Sequence, residues 1–266
     1  MLTVGSLFAG IGGLELGLER AGMEVRWQVE NDPYCIRVLE KHWPHVRRHT
    51  DIETFLPADA HHAGKPDVPI HDETRNGMQE SRATAGARAW WAVDLICGGF
   101  PCQPVSVAGT QGGDADGRWL WPEMRRVCEV VRPRWVLVEN VPGLLSASTG
   151  RLFGGVVRDL AALGYVVEWD CISAANVGAN HIRDRVFIVA RLANTDTSRR
   201  DGRPRQLWPG RGRELADGDW WATEPNVGRV DTRVPARVDR LRCLGNSVVP
   251  AVAELIGRMI VDADRN

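Results

Sequence analysis

The chain has 266 residues, 44% of them hydrophobic, and its 33 basic and 34 acidic side chains leave a formal net charge of −1. That length and apolar content suit one large domain, or one domain with a small lobe, and the balanced charge excludes a polycation. The balance is uneven, because residues 181–242 carry 14 Arg against 9 acidic residues, a net of +5. A basic C-terminal third on an otherwise acidic chain points to a polyanion-facing surface. The six cysteines (35, 97, 102, 128, 171 and 243) are scattered without a C-x-x-C pair, which speaks for a reducing compartment and against a disulfide framework or a zinc site. No apolar run reaches the roughly 20 residues of a membrane helix, and no basic leader precedes the first strand. A cytoplasmic protein with no metal and no membrane partner is expected.

In chain order, Leu2–Phe8 reads as an apolar strand, followed by the turn Ala9-Gly10-Ile11-Gly12-Gly13. Leu14, Leu18 and Ala21 then recur at helical spacing, with Gly22 as the stop. Val25–Val29 is a second strand ending in Glu30, and Asp32-Pro33 opens a second helix to about Lys41. This βαβα order predicts a parallel sheet. Residues 57–89 carry no period of 2 or 3.6 and read as an exposed insertion. The pattern resumes with a strand at Val93–Cys97, a helix over about Leu120–Val131 and a buried strand at Arg134–Glu139. A helix over 151–163 stops at Gly164, and Tyr165–Ile172 and Arg185–Ala190 are two more strands, open to an antiparallel order. Between Asn194 and about Gly228 Arg, Gly, Pro and Trp dominate, and Val249–Ile260 closes the chain as a helix packed back on the sheet.

A strand, a glycine turn and a helix N-terminus form a site for a nucleotide-like ligand. The third glycine of the dinucleotide pattern is missing, because Glu15 takes its place. Glu30, 18 residues after Gly12, stands where an acid accepts two ribose hydroxyls, or is a solvated strand-end carboxylate. Asp51 ends the next unit and either meets an adenine amino group or caps a helix. Residues 98–104 read Gly98-Gly99-Phe100-Pro101-Cys102-Gln103-Pro104. A cysteine pinned between prolines at a strand tip is presented outward rather than packed as a small hydrophobe. It is either a nucleophile or a loop thiol without a role.

Five segments in order agree with one family. Ser6-Leu7-Phe8-Ala9-Gly10-Ile11-Gly12-Gly13, Gly99-Phe100-Pro101-Cys102-Gln103, Glu139-Asn140-Val141, Arg183-Asp184-Arg185 and Gly245-Asn246-Ser247-Val248-Val249-Pro250 resemble the motifs of the DNA (cytosine-5) methyltransferases. The resemblance implies an α/β fold, a Rossmann-like, mostly parallel sheet with helices on both faces. It implies a catalytic domain of residues 1–190 plus 239–266 and a small, irregular Arg/Trp-rich recognition lobe at 191–238. The implied cofactor is S-adenosyl-L-methionine (AdoMet), held by Phe8, Gly10, Gly12, Gly13, Glu30, Asn31, Asp51, Ile52, Pro101, Asn246 and Val248. Phe8 would stack on adenine, and Asn246, at a helix entry, would touch the cofactor.

The implied partner is double-stranded DNA, met by a monomer. Cytosine C5 is too weak a nucleophile to accept a methyl group unaided, and a thiolate adding at C6 activates it, the role implied for Cys102. Glu139 would assist at N3, Asn140 would position the loop, and Arg183 and Arg185 would hold the base and the catalytic segment. The base must be flipped out of the duplex. The glycine-rich segment 105–118, with Gln103, Ser106, Gly109 and Arg118, is suited to closing over it. Arg199, Arg200, Arg203 and Arg205 would meet phosphates or guanine edges. The segment between Arg185 and Arg240 is short for a recognition region, and His181 stands where the family often has Gln. Rival readings are a tRNA cytosine-5 methyltransferase, a non-catalytic AdoMet- or DNA-binding relative, and a dinucleotide-dependent oxidoreductase, which the missing glycine disfavours.

Overall fold

The computed structural model of the chain describes residues 1–56, 89–101, 119–193 and 236–265. Among these residues seven strands form one sheet: β1 (Thr3–Leu7), β2 (Glu24–Val29), β3 (Arg47–His49), β4 (Leu95–Gly98), β5 (Trp135–Asn140), β6 (Tyr165–Ser173) and β7 (Asp184–Leu192). The sheet order is β3-β2-β1-β4-β5-β7-β6. The β1–β2, β1–β4, β2–β3 and β4–β5 pairings are parallel, and β7 runs antiparallel to both β5 and β6. The mostly parallel α/β sheet is as the sequence implies. Strand β3 was not anticipated: three residues carrying two arginines have no apolar signature, and their place is set by pairing with Trp27–Val29.

The helices are α1 (Gly13–Arg20), α2 (Pro33–His42), α3 (Trp121–Val131), α4 (Arg151–Ala162), α5 (Arg237–Asn246) and α6 (Pro250–Arg265). Each face of the sheet builds its own core, because alternate residues of a strand point to opposite faces. Leu95 and Cys97 join Leu14, Leu18, Val252 and Ile256 of α1 and α6, whereas Ile96 joins Met124, Val127, Val156 and Leu160 of α3 and α4. A sheet buried on both faces explains the unbroken apolar run of β5, all six residues of which are buried. Asp32 caps α2 by accepting hydrogen bonds from the Tyr34 and Cys35 amides, with Pro33 in the first turn, as the sequence predicts.

One expectation is corrected. Asn246 is not at a helix entry but closes α5, and α6 begins four residues later at Pro250. Arg183 stands just before β7, which starts at Asp184. The stretch Val238–Arg265 has the length and apolar content of a membrane span. It breaks between α5 and α6, and α6 packs Val252, Ala253, Ile256 and Ile260 into the core beside α1. Apart from its ends, the 191–238 segment lies outside the described residues, as do residues 57–88 of the insertion.

Candidate active site

The C-terminal ends of β1, β2, β4 and β5 lie along one sheet edge, the edge where ligands sit in open parallel sheets. At the end of β1 the chain turns sharply. Phe8 (φ 55°), Gly10 (φ 58°) and Gly12 (φ 88°) all have left-handed backbones, and Gly12 starts α1 without any side-chain cap. The turn is bound to β2: Ala9 N donates to Val29 O at 3.1 Å, and Gly10 N donates to Glu30 Oε2 at 2.7 Å. The other Glu30 oxygen accepts from Asp32 N at 2.8 Å. Glu30 is thus buried and oriented by two backbone amides, not a solvated strand-end carboxylate. A side chain at Gly10 would meet none of the described residues within 4 Å. At Gly13 a Cβ would lie 2.5 Å from Val248 O and 2.6 Å from Ser247 Oγ, so the C-terminal motif seats directly against the glycine turn.

The next unit presents Asp51 and Ile52. Asp51 is exposed and accepts from the Glu53 amide at 2.9 Å, capping a turn rather than a helix. Ile52 is buried, and its carbonyl accepts from Arg126 Nη2 at 2.7 Å. The same guanidinium also donates to Phe55 O and Leu56 O, fastening this segment to α3.

Glu139 is the penultimate residue of β5, and Arg185, the second residue of β7, lies beside it with Nε 2.9 Å from Glu139 Oε1. Burial pushes the Glu139 carboxyl up to about 7, overriding the pull of Arg185 and Arg183 in the opposite direction. Gly99 makes room for it, since a Cβ there would lie 2.6 Å from Glu139 Oε2. Gly98 and Gly99 leave room for Leu7 O and the Glu139 carboxyl, respectively. Asn140 links the two strand ends, its Nδ2 donating to Phe100 O at 3.2 Å and its Oδ1 accepting from Val141 N at 2.9 Å. Phe100 is anchored between Trp119 and Trp121, which fixes the approach to Pro101.

Arg183 has a different partner from Arg185. Its Nη2 donates to Gly245 O at 2.6 Å and Ser247 O at 2.7 Å, so it holds the C-terminal motif in place. Burial and the neighbouring Arg185 lower its pKa. A cleft of about 890 Å³ lined by Gly12, Gly13, Trp43, Arg183, Arg185 and Val248 joins the glycine turn to the arginine pair. Phe8 and Glu30 are not among its lining residues.

The structure therefore assembles Phe8, Gly10, Gly12, Gly13 and Glu30 at one turn, Val248 against that turn, and Glu139, Asn140, Arg183 and Arg185 beside it. Asn246 is exposed at the end of α5. Cys102, Gln103, Ser106, Gly109, Arg118, Arg199, Arg200, Arg203 and Arg205 lie outside the described residues. One feature was missed. Ser6, Gln28 and Cys97 lie side by side on β1, β2 and β4, and the fully buried Glu15 of α1 lies next to them. Among the described residues, the buried Ser6 Oγ, both Glu15 oxygens and Gln28 Nε2 have no hydrogen-bond partner, and burial pushes Glu15 up to about 7. The one available signal was position 15 itself, next to the inward-facing Leu14 and one turn before Leu18.

Residues 2–210 match the family model described as C-5 cytosine-specific DNA methylase. The chain is 30% identical over 182 residues to the type II methyltransferase M.NgoMIV of Neisseria gonorrhoeae, covering 68% of this chain and 49% of that protein. It is 32% identical over 189 residues to M.NaeI of Lentzea aerocolonigenes, covering 71% and 40%. The chain thus spans about half, or less, of the length of these relatives. Among solved structures, an E. coli prophage-encoded protein described as a candidate DNA modification methyltransferase superimposes with a TM-score of 0.53 at 25% identity, over 72% of this chain and 47% of that one.

Proposed function

We propose that this chain, which belongs to the C-5 cytosine-specific DNA methylase family, transfers a methyl group from AdoMet to C5 of a flipped-out cytosine in double-stranded DNA, acting as an intracellular, metal-independent monomer. The observation that carries the reading is Glu139. It is a buried carboxyl that keeps its proton to about pH 7, held beside Arg185 and backed by Gly99 two residues ahead of Pro101-Cys102.

The turn fits the cofactor. Each Glu30 oxygen accepts one backbone N–H and keeps a lone pair for a ribose hydroxyl. Among the described residues, none lies within 4 Å of a side chain built at Gly10, and none caps the N-terminus of α1 with its side chain. Phe8, Gly10, Gly12, Gly13, Glu30 and Val248 would hold AdoMet, with Asn31, Asp51, Ile52, Pro101 and Asn246 as further contacts. Bound there, AdoMet supplies an electrophilic methyl group.

The chain's own residues do the rest. The Cys102 thiolate adds to C6 and turns C5 into a nucleophile. Protonated Glu139 donates at N3, which draws charge out of the ring as the C6–S bond forms. Arg185 orients that carboxyl and Arg183 keeps the C-terminal motif seated. After loss of the C5 proton to a base or water, elimination frees Cys102. Residues 1–190 with 239–266 make the catalytic domain, and 191–238 the recognition lobe, where Arg199, Arg200, Arg203 and Arg205 meet DNA. Gln103, Ser106, Gly109 and Arg118 serve the segment that closes over the base.

The test is methyl transfer from labelled AdoMet to duplex DNA and to tRNA, with Cys102→Ser alongside. Transfer to DNA that the variant abolishes is expected, together with a Cys102-dependent adduct on 5-fluorocytosine DNA. Turnover by Cys102→Ser would sink the mechanism, and transfer to tRNA alone would replace the substrate.

A further inference from the structure

Cys35 and Cys243 are far apart in the sequence, yet their sulfurs lie 3.2 Å apart and both are buried. Scattered spacing gave no sign of this pairing, because it is made by the docking of two helices. Cys35 lies in the first turn of α2, just after Glu30. Cys243 is the buried residue that α5 turns inward, while Val238, Leu241 and Leu244 are exposed. Beside the sulfurs, Arg242 pairs with Asp32 at 2.5 Å, an ion pair partly screened by solvent. The thiol pair is therefore the buried part of the contact between α5 and α2.

We propose that Cys35 and Cys243 form a redox modification site, at which oxidation joins them in an intramolecular disulfide that fastens α5 to α2. Hydrogen peroxide is the oxidant. One thiolate attacks it, forming S–OH as the O–O bond breaks and hydroxide leaves. The second sulfur then displaces the new hydroxyl, so that two S–H bonds are replaced by one S–S bond and the peroxide ends as two waters. The sulfurs, now 3.2 Å apart, need only about 1 Å of approach to reach a bond of about 2.05 Å. Burial, the hydrogen bond to Cys243 and the nearby Glu30 and Asp32 push the Cys35 thiol well above its ordinary range, so attack waits on an opening of α5 and is slow.

The site lies where a cross-link has consequences. α5 leads into Gly245–Val248, which Arg183 grips and which seats against Gly13. A disulfide would tie that motif down from a second side. Its effect on the cofactor rests on the function proposed above; the cross-link itself does not. Asp32 and the two sulfurs also lie within 4.8 Å of one another, a donor set that a metal ion could use. But Asp32 Oδ1 is taken by the Tyr34 and Cys35 amides and Oδ2 by Arg242, which favours the disulfide.

The full chain is treated with stepwise hydrogen peroxide, blocked with N-ethylmaleimide, digested without reductant and mapped by mass spectrometry. The expected product is a Cys35–Cys243 peptide pair two hydrogens lighter than its parts, released by dithiothreitol and absent from Cys35→Ala and Cys243→Ala. Tm should rise by about 5–10 °C on oxidation and fall back on reduction. If the variants do not fold, the wild-type map decides alone. Oxidation of Cys171 or Cys102 with no Cys35–Cys243 pair would overturn the proposal. So would stoichiometric binding of added zinc chloride that shields both thiols from N-ethylmaleimide. Absence of methyl transfer leaves the cross-link standing, and absence of the cross-link leaves methyl transfer untouched.

Discussion

Glu139 pairs with Phe187 across β5 and β7, and Arg185, two residues before Phe187, reaches Glu139 with 2.9 Å between nitrogen and oxygen, yet the Glu139 carboxyl is pushed up to about 7. An exposed carboxylate beside a guanidinium would be driven the other way. Here the loss of water around the charged form costs more than the cation returns. The pair holds the carboxyl in one orientation without stripping its proton.

The descending limb of the rate profile follows from that. In the proposed reaction the protonated form acts, so kcat/KM should fall as pH rises through about 7. Glu139→Gln keeps a neutral side chain of the same shape but cannot give up a proton. It should lose turnover by about 10²–10⁴-fold and lose the limb as well. Initial rates between about pH 5.5 and 9 test this, with AdoMet binding unchanged as the control. A descending limb that survives in Glu139→Gln would assign it to another group.

Glu15 should make stability depend on pH. Its native carboxyl holds a proton to about 7, whereas an unfolded one releases it near 4.5. The native state therefore binds more protons in that window, and stability falls as pH rises from about 4.5 to about 7, then levels off. The full effect is on the order of 3 kcal/mol. Glu15→Gln removes the charge and should raise Tm at pH 8 while changing it little at pH 5. An equal change at both values would show that ionisation is not the cause.

Much of this architecture was legible beforehand, for reasons that differ by element. β1, β4 and β5 are apolar runs because both faces of the sheet are covered, and α2 announced itself through Asp32 and Pro33. β3 and α5 were not legible. β3 holds by pairing rather than by its own apolar content, and α5 exposes most of its apolar side chains. At the site, residue types pointed to Glu30 and Glu139, but not to what surrounds them. The two amides on Glu30 and the glycine behind Glu139 are products of register between strands distant in sequence. The same holds for the buried cluster at Glu15.

Gly99→Ala tests the space behind Glu139. The added carbon would stand 2.6 Å from Oε2, while Oε1 of the same carboxyl is held by Arg185. The carboxyl must swing away, at a cost of roughly 1–3 kcal/mol in stability. Turnover should drop at least as far as in Glu139→Gln, while AdoMet affinity holds because the glycine turn is untouched. A variant with normal turnover would mean that the carboxyl need not occupy its observed place.

Glu30 shapes the turn, and one analogue can separate that duty from the proposed ribose contact. Both its oxygens accept backbone N–H bonds, from Gly10 and Asp32, and these shape the turn. Glu30→Gln replaces one acceptor with a donor and leaves one of those amides unpaired, at a cost of about 1–3 kcal/mol. That penalty falls on stability and on any ligand of the turn alike. The proposed contact with the ribose is selective. Calorimetric titration with S-adenosylhomocysteine and with an analogue lacking both ribose hydroxyls should show the wild type losing about 10-fold or more in affinity for the analogue. Glu30→Gln should bind the two with nearly equal, weaker affinity. Equal binding of both ligands by the wild type would confine Glu30 to holding the turn and leave ribose recognition to another residue.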